Sequence, residues 1–367
     1  MLFYIIFTIV VICMTAIFKI GVQNNKANSE RIYIIFMGIL FSFFMGARSY
    51  EVGKDTIAYQ RIFLTLGATP LTNELPLSIS GYPIYRLLCK FVYEILNGDY
   101  RVFLLTVAII TIAGILYFIK RYSTDIYFTI LLFLLYYMYF NSWNASRQYL
   151  ALAFSLIAVI FADKKKIWIS VLFMVFAIFT HNTIAIMLSF YVIYFIKWNK
   201  RRVMMCMLAI IAVFSFSDII VTILRFFPRY QELYLKAFVS GDMRLFGGIA
   251  QGRKVIVSVL FLMVGVMCYF IRCKKIYMPM EWVILLFTCM ELFIGIFFKN
   301  NSMILRLQMY FSPYLIVFIT NVIEDSRFSK INKKWIKLAI LTVMLVPYFI
   351  QISENFAGIN PYSWFNT

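Results

Sequence analysis

Long stretches without a charged residue constrain this chain more than any other sequence feature. One of them is 32-IYIIFMGILFSFFMGA-47, and similar stretches recur along the sequence. A helix needs about 20 apolar residues to cross the hydrocarbon core of a bilayer. Only 14% of the 367 residues are charged, whereas soluble domains average about 25%. We therefore predict an all-α fold: a polytopic helical bundle that is integral to a membrane.

The apolar runs predict about 12 transmembrane helices. Their expected bounds are 2–22, 32–47, 102–119, 126–141, 147–162, 167–181, 183–197, 203–224, 255–271, 281–298, 303–323 and 337–351. The stretch 82-YPIYRLLCKFVYEIL-96 has apolar residues at helical spacing but also Arg86, Lys90 and Glu94. We expect it to form an amphipathic or re-entrant helix at the outer face instead of a span. The chain, 1–367, is then a single polytopic domain with outer loops at 48–101 and 225–254.

The positions of the basic residues predict the orientation in the membrane. Short, Lys-rich loops such as 163-DKKK-166 and 197-KWNKRR-202 are typical of the cytoplasmic side. With these loops inside, both termini face outward, and the 35 basic residues sort into 14 Lys and 6 Arg inside against 10 Arg and 5 Lys outside. Guanidinium groups bind phosphate through two parallel hydrogen bonds, whereas ammonium groups do not. The outer arginine excess therefore indicates an anionic ligand.

The net charge of +19 does not indicate nucleic-acid binding. A nucleic-acid-binding protein clusters its bases on one patch or helix face, whereas these bases lie between apolar segments. We expect no nucleic-acid partner. We expect membrane lipid to surround the helices. The six cysteines lie mostly inside apolar runs and form no C-x-x-C motif, so neither a disulfide framework nor a zinc site is indicated; we expect no cofactor.

A dense polar stretch, 48-RSYEVGKDTIAY-59, follows the second apolar run and opens the first outer loop. Gly53 permits a tight turn before Asp55, and Asp55 and Tyr59 share one face if the following segment is helical. Arg48, Asp55 and Tyr59 are therefore candidate site residues. The alternative is that Asp55 only caps a helix that starts near Thr56.

Other polar residues lie at the outer ends of predicted spans. Arg147 and Gln148 open the span at 147–162, and His181 is the only histidine. Histidine is the side chain whose unperturbed pKa lies near neutrality. Arg253 belongs to the second outer loop, and Arg306 lies within an apolar run, where a charge is a functional candidate. The alternatives are interfacial anchoring for Arg147, a satisfied interfacial position for His181, and snorkelling to the interface for Arg306.

Five stretches together resemble the EpsG-like branch of the Wzy polysaccharide polymerases. They follow the order of that family through most of the chain: 48-RSYEVGKDTIAY-59, 81-GYPIYRLL-88, 147-RQYLALAF-154, 179-FTHNTIAI-186 and 306-RLQMYFSPYL-315. The polar piece 68-ATPLTNELPLSIS-80 departs from the family pattern.

The resemblance implies a metal-independent glycosyltransferase in the bacterial cytoplasmic membrane, with its active site on the outer side. Its donor and acceptor would be oligosaccharide repeat units on undecaprenyl pyrophosphate. Binding of the pyrophosphate and sugar falls to Arg48, Tyr59, Arg147, Gln148, Arg253 and Arg306. Asp55 and His181 compete for the role of general base, with Asp55 slightly favoured. The sequence leaves open the sugar, the linkage and whether a chain-length regulator binds.

Three other functions compete with a polymerase. A lipid-linked oligosaccharide flippase would have a similar number of spans, but it should place charges midway across several spans and contain internal repeats. An O-antigen ligase would share the chemistry but transfer to a different acceptor, and the order of the motifs argues against it. A membrane O-acyltransferase would need catalytic groups that can be reached from the cytoplasm, whereas His181 lies outside in the predicted topology.

Thiol labelling tests the predicted orientation. Cysteines introduced at Thr69 and Ser240 should react with a membrane-impermeant thiol reagent in intact spheroplasts, because both positions belong to outer loops. A cysteine at Lys165 should not react until the cells are broken. The reverse pattern would place the arginine-rich face in the cytoplasm and overturn the argument for an outer anion site.

Overall fold

The computed structural model describes residues 1–21, 26–71, 73, 82–96, 98–197, 202, 205, 261, 263, 278–297 and 302–365. Among these residues every element longer than a single bridge is a helix. The α-helices are α1 (Leu2–Ile20), α2 (Lys26–Gly46), α3 (Thr56–Ala68), α4 (Pro83–Ile95), α5 (Tyr100–Tyr122), α6 (Ile126–Leu135), α7 (Met138–Asn144), α8 (Ser146–Asp163), α9 (Ile167–Thr180), α10 (Ser189–Phe195), α11 (Pro279–Phe297), α12 (Ser302–Asp325) and α13 (Lys330–Ser353). A 3₁₀ helix, Asn182–Leu188, follows α9. The all-α prediction is confirmed for the described residues.

The chain divides into two compact units. The first comprises residues 1–188 and 337–367, and the second comprises residues 189–336. In the second unit α11 and α12 pack together, and the Gln308 amide donates a hydrogen bond of 2.9 Å to the Glu291 carboxylate. Both side chains are buried. The sequence gives no indication of this pairing.

The number of spans differs from the expected one. Within the described residues six helices are long and apolar enough to cross a membrane, or seven if α6 and α7 count as one bent span. About twelve is therefore not confirmed. The run at 167–181 forms the 14-residue α9, and the run at 183–197 is divided between the 3₁₀ helix and the short α10. The runs at 203–224 and 255–271 fall almost entirely outside the described residues.

Helices α6 and α7 form one interrupted apolar segment with a bend of 50°. Tyr137, between them, adopts a left-handed backbone conformation with φ of 65°, which residues other than glycine rarely adopt. Every residue of α6 is buried within the protein. Irregular backbone at membrane depth is tolerated where protein covers it. The break redirects the chain just before the α7–α8 junction, residues 143–147, which is the part of the fold that carries the candidate site.

The first unit has two distinguishable ends. At one end the Asp125 carboxylate, which caps α6, accepts hydrogen bonds from Lys19 at 2.9 Å and Lys337 at 2.6 Å. Burial alone would raise the pKa of Asp125, but the two lysines outweigh it and hold the pKa below its usual value. At the same end Arg121 pairs with Asp163. The sequence assigns all of these bases to the inside, and the structure brings them to one end.

The opposite end of the first unit contains the polar stretch that follows α2. There the α7–α8 junction and the segment after α13 meet residues 47–55, as described below. Two 13-residue helices, α3 and α4, pack against each other at this end. Helix α4 occupies the stretch predicted as an amphipathic or re-entrant helix and is too short to span a bilayer. Its position relative to the membrane stays a prediction.

Candidate anion-binding site

Arg48 lies at the centre of the polar end, and its environment is not the one expected for a phosphate ligand. The side chain is completely buried. Its guanidinium donates to backbone carbonyls: Nε to Val52 at 3.3 Å, Nη2 to Trp143 at 2.8 Å, and Nη1 to Met45. Burial lowers the pKa of Arg48 to about 10, which still leaves it charged at neutral pH. The donors of Arg48 are engaged in holding the loop, so we assign it a structural role.

The segment after α13 packs along the same loop, so that the loop lies between that segment and the α7–α8 junction. Ser49 N–H donates to the Ser363 carbonyl at 2.8 Å, and Gly53 N–H donates to the Gly358 carbonyl at 2.7 Å. Arg48 and Trp364 form an antiparallel bridge. We call residues 357–365 the C-terminal strap. Its backbone hydrogen bonds fix the path of residues 47–54, which lead directly to Asp55.

Asp55 stands immediately before α3, at the position where a capping side chain would be. Its carboxylate makes no capping hydrogen bond. Instead the backbone N–H of Asp55 donates to the Asn144 side chain at 2.8 Å, which ties Asp55 to the α7–α8 junction. Within the part of the chain that the structure describes, no hydrogen bond or ion pair engages the carboxylate itself. The capping alternative therefore lacks its defining contact.

Arg147, three residues beyond Asn144, lies among tyrosine rings in the first turn of α8. Its guanidinium carbon is 4.0 Å from the ring centroid of Tyr82, 5.5 Å from that of Tyr85 and 5.7 Å from that of Tyr59. Ring faces within about 6 Å attract a cation. We call Arg147 and these three rings the tyrosine cage. Helices α3, α4 and α8 each contribute to it.

The tyrosine cage contains polar atoms that are buried but unpaired. Among the described residues the Nε of Arg147 and the hydroxyl of Tyr85 have no hydrogen-bond partner, and neither atom is exposed to solvent. No carboxylate pairs with Arg147 in those residues. A buried donor without an acceptor costs about 1–3 kcal/mol. The ring faces hold the guanidinium plane, while its N–H edge keeps the capacity to bind an anion.

His181 lies next to the cage through its contact with Tyr82. The His181 ring stacks on Tyr82 with centroids 5.6 Å apart, and its Nδ1 lies 2.8 Å from the Thr183 hydroxyl. Tyr82 thus contacts both an imidazole and a guanidinium. Gln148 follows Arg147 on α8 and is buried. The structure therefore brings Tyr59, Arg147 and His181 together around Tyr82, whereas Gln148 is next to Arg147 only in sequence.

Two predicted site residues cannot be joined to this cluster. Arg306 is exposed on α12, in the second unit, and Arg253, with the whole second outer loop at 225–254, lies outside the described residues. Among the described residues no group of three or more His, Cys, Asp or Glu side chains is placed to hold a metal ion.

Sequence reasoning missed Tyr85 and the C-terminal strap. Tyr82 and Tyr85 are spaced three residues apart at the start of a helix, and this spacing places both on one face. That signal was available, but it does not distinguish a ligand-facing ring from a core ring. The strap carried no signal at all, because its contacts with residues 47–54 are mostly made by backbone atoms.

The fold and the site define a class of protein: a multi-pass helical membrane protein with an arginine that is surrounded by tyrosine rings and has no carboxylate partner among the described residues. The family model described as the EpsG family matches residues 31–364. The match covers most of the chain, so this protein belongs to the EpsG family. No curated protein and no solved structure matches it.

The strap gives a testable prediction. A Cβ atom at Gly358 would lie 2.8 Å from the Lys54 backbone nitrogen, and φ at Gly358 is +69°. Gly358→Ala should therefore displace the loop that leads to Asp55 and reduce glycan synthesis in cells at an unchanged protein level. Gly98 is the matched control, because it has the same φ of +69° but a Cβ there would meet only the Tyr93 side chain, at 3.3 Å or more. Equal losses in both variants would mean that only backbone strain matters.

Proposed function

We propose that this protein polymerises a bacterial polysaccharide. In this proposal it is a glycosyltransferase that joins oligosaccharide repeat units carried on undecaprenyl pyrophosphate, at the outer face of the cytoplasmic membrane. The observation that carries the proposal is the tyrosine cage, in which Arg147 has ring faces but no carboxylate partner among the described residues. Membership of the EpsG family supports the broader assignment to polysaccharide synthesis in a membrane.

The reaction requires two things of the protein. A sugar hydroxyl of the acceptor attacks the anomeric carbon of the donor chain, a new C–O bond forms, and the bond from that carbon to the pyrophosphate oxygen breaks. Negative charge then grows on the departing undecaprenyl pyrophosphate, and preorganised donors aimed at that charge lower the barrier. The hydroxyl proton must also pass to a base.

Arg147 suits the first requirement. A guanidinium presents two parallel N–H donors to a phosphate, and the cage fixes the plane of the group before the substrate arrives. Preorganisation of this kind avoids reorienting the donor during the reaction. Gln148, its neighbour in sequence, and the Tyr59 ring would contact the first sugar or the phosphate. Arg306 and Arg253 remain proposed further contacts to the pyrophosphate.

Asp55 suits the second requirement. Its backbone is tied to Asn144, three residues before Arg147, and its carboxylate is not used as a helix cap. It would accept the hydroxyl proton. His181 is less suited, since its Nδ1 is engaged with Thr183 and its ring stacks on Tyr82. We assign His181 the role of supporting Tyr82 and hence the cage.

Lipid-linked glycans from a deletion strain test the function. Loss of a polymerase should leave a single repeat unit in place of a ladder of chain lengths, and the wild-type gene on a plasmid should restore the ladder. Accumulation of lipid-linked units on the cytoplasmic side with no surface glycan would instead indicate a flippase.

The same strain tests the role of Asp55. Complementation with Asp55→Asn should abolish long chains, because loss of a general base typically lowers the rate by about 10²–10⁴-fold. The variant should accumulate to normal levels, since within the described residues the Asp55 carboxylate makes no hydrogen bond or ion pair that asparagine would lose. A wild-type ladder from this variant, with protein amount confirmed by blot, would remove Asp55 from the catalytic site and return His181 as the candidate base.

A further inference from the structure

We infer that the Tyr85 hydroxyl is a second hydrogen-bond donor to the anion that occupies the tyrosine cage beside Arg147. This inference rests on the proposed function and extends it to a residue that was not among the candidate site residues of the sequence analysis. The ligand it identifies is the phosphate or pyrophosphate group of a lipid-linked sugar.

Geometry places Tyr85 in the cage. Its ring centroid is 5.5 Å from the guanidinium carbon of Arg147, and the side chain is 1% exposed. It lies in the first turn of α4, where Tyr82 also contacts Arg147. The Tyr85 ring packs edge-on against Phe103, with centroids 5.7 Å apart, which holds the ring in position.

The unpaired hydroxyl is the observation that points to a ligand. Buried polar atoms almost always have a hydrogen-bond partner, and an exception in a folded protein calls for an explanation. Here two exceptions share one cage, the Tyr85 hydroxyl and the Arg147 Nε, among the residues that the structure describes. One anion with several acceptor oxygens would satisfy both donors.

The chemistry of the phenol fits a donor. Burial raises the pKa of Tyr85 well above its usual value, so the hydroxyl keeps its proton at neutral pH. A neutral phenol donates to a phosphate oxygen without adding a charge that must be desolvated.

Stability and binding should respond to Tyr85→Phe in opposite directions. Without ligand, the full-length protein in detergent should have a Tm raised by roughly 2 °C, because the variant no longer buries an unpaired hydroxyl. Its affinity for inorganic pyrophosphate, measured by the ligand-induced increase in Tm and by calorimetry, should fall about tenfold, since a hydrogen bond to a charged group is lost.

Tyr100→Phe is the matched control. Tyr100 is a buried neighbour whose hydroxyl already donates to the Thr56 carbonyl at 3.1 Å. Its removal should lower Tm and leave the affinity for pyrophosphate unchanged.

The outcomes separate this inference from the proposed function. If Arg147→Gln loses pyrophosphate binding while Tyr85→Phe binds like the wild type, the inference about Tyr85 is wrong and the anion site stands. If Arg147→Gln binds pyrophosphate like the wild type, the anion site itself is wrong. A lowered Tm for unliganded Tyr85→Phe would mean that its hydroxyl has a structural partner, and this result would also overturn the inference.

Discussion

The burial of one guanidinium group organises the polar end of this bundle. A charge removed from water is strongly unfavourable unless hydrogen bonds compensate for it. Arg48 meets this requirement with carbonyls from the end of α2, from its own loop and from Trp143 at the α7–α8 junction, and its guanidinium carbon lies 5.7 Å from the Trp143 ring. Met45 and Val52 are local to Arg48, but Trp143 is 95 residues away, so the α7–α8 junction must reach the loop before Arg48 can be buried. The same convergence brings Asp55 to Asn144 and sets the start of α8.

Arg147 lies just beyond this junction and has the opposite environment. The two arginines look alike in sequence, since each follows or opens an apolar run near an outer end. Arg48 is completely buried, and each of its three nitrogens donates to a backbone carbonyl, so it is not accessible to a substrate phosphate. Arg147 has ring faces around its plane and an unpaired Nε. Arg48 holds the loop in place, and we propose that substrate recognition falls to Arg147 alone of the two.

Sequence reasoning succeeded where a local pattern determines the outcome. The apolar runs predict helices, and the helical spacing between Tyr82 and Leu96 predicts the helix found at Pro83–Ile95. The sorting of bases predicts which residues share an end, as Lys19 and Lys337 do on Asp125. It failed where contacts with segments distant in sequence determine the conformation or the environment of a residue. The bend at Tyr137 is invisible in an unbroken apolar run, the strap binds through its backbone, and the difference between Arg48 and Arg147 depends on acceptors contributed by other helices.

A lysine substitution tests whether the forked donors of Arg147 bind the substrate anion. Arg147→Lys keeps the charge but removes the paired N–H geometry. Arg61→Lys is the matched control, because Arg61 is exposed on α3, the helix that also carries Tyr59. The measurement is the distribution of glycan chain lengths in the deletion strain complemented by each variant at equal protein level. We expect a wild-type ladder for Arg61→Lys and loss of long chains for Arg147→Lys. A wild-type ladder for Arg147→Lys would show that Arg147 is only an interfacial anchor and would contradict its role in binding the substrate anion.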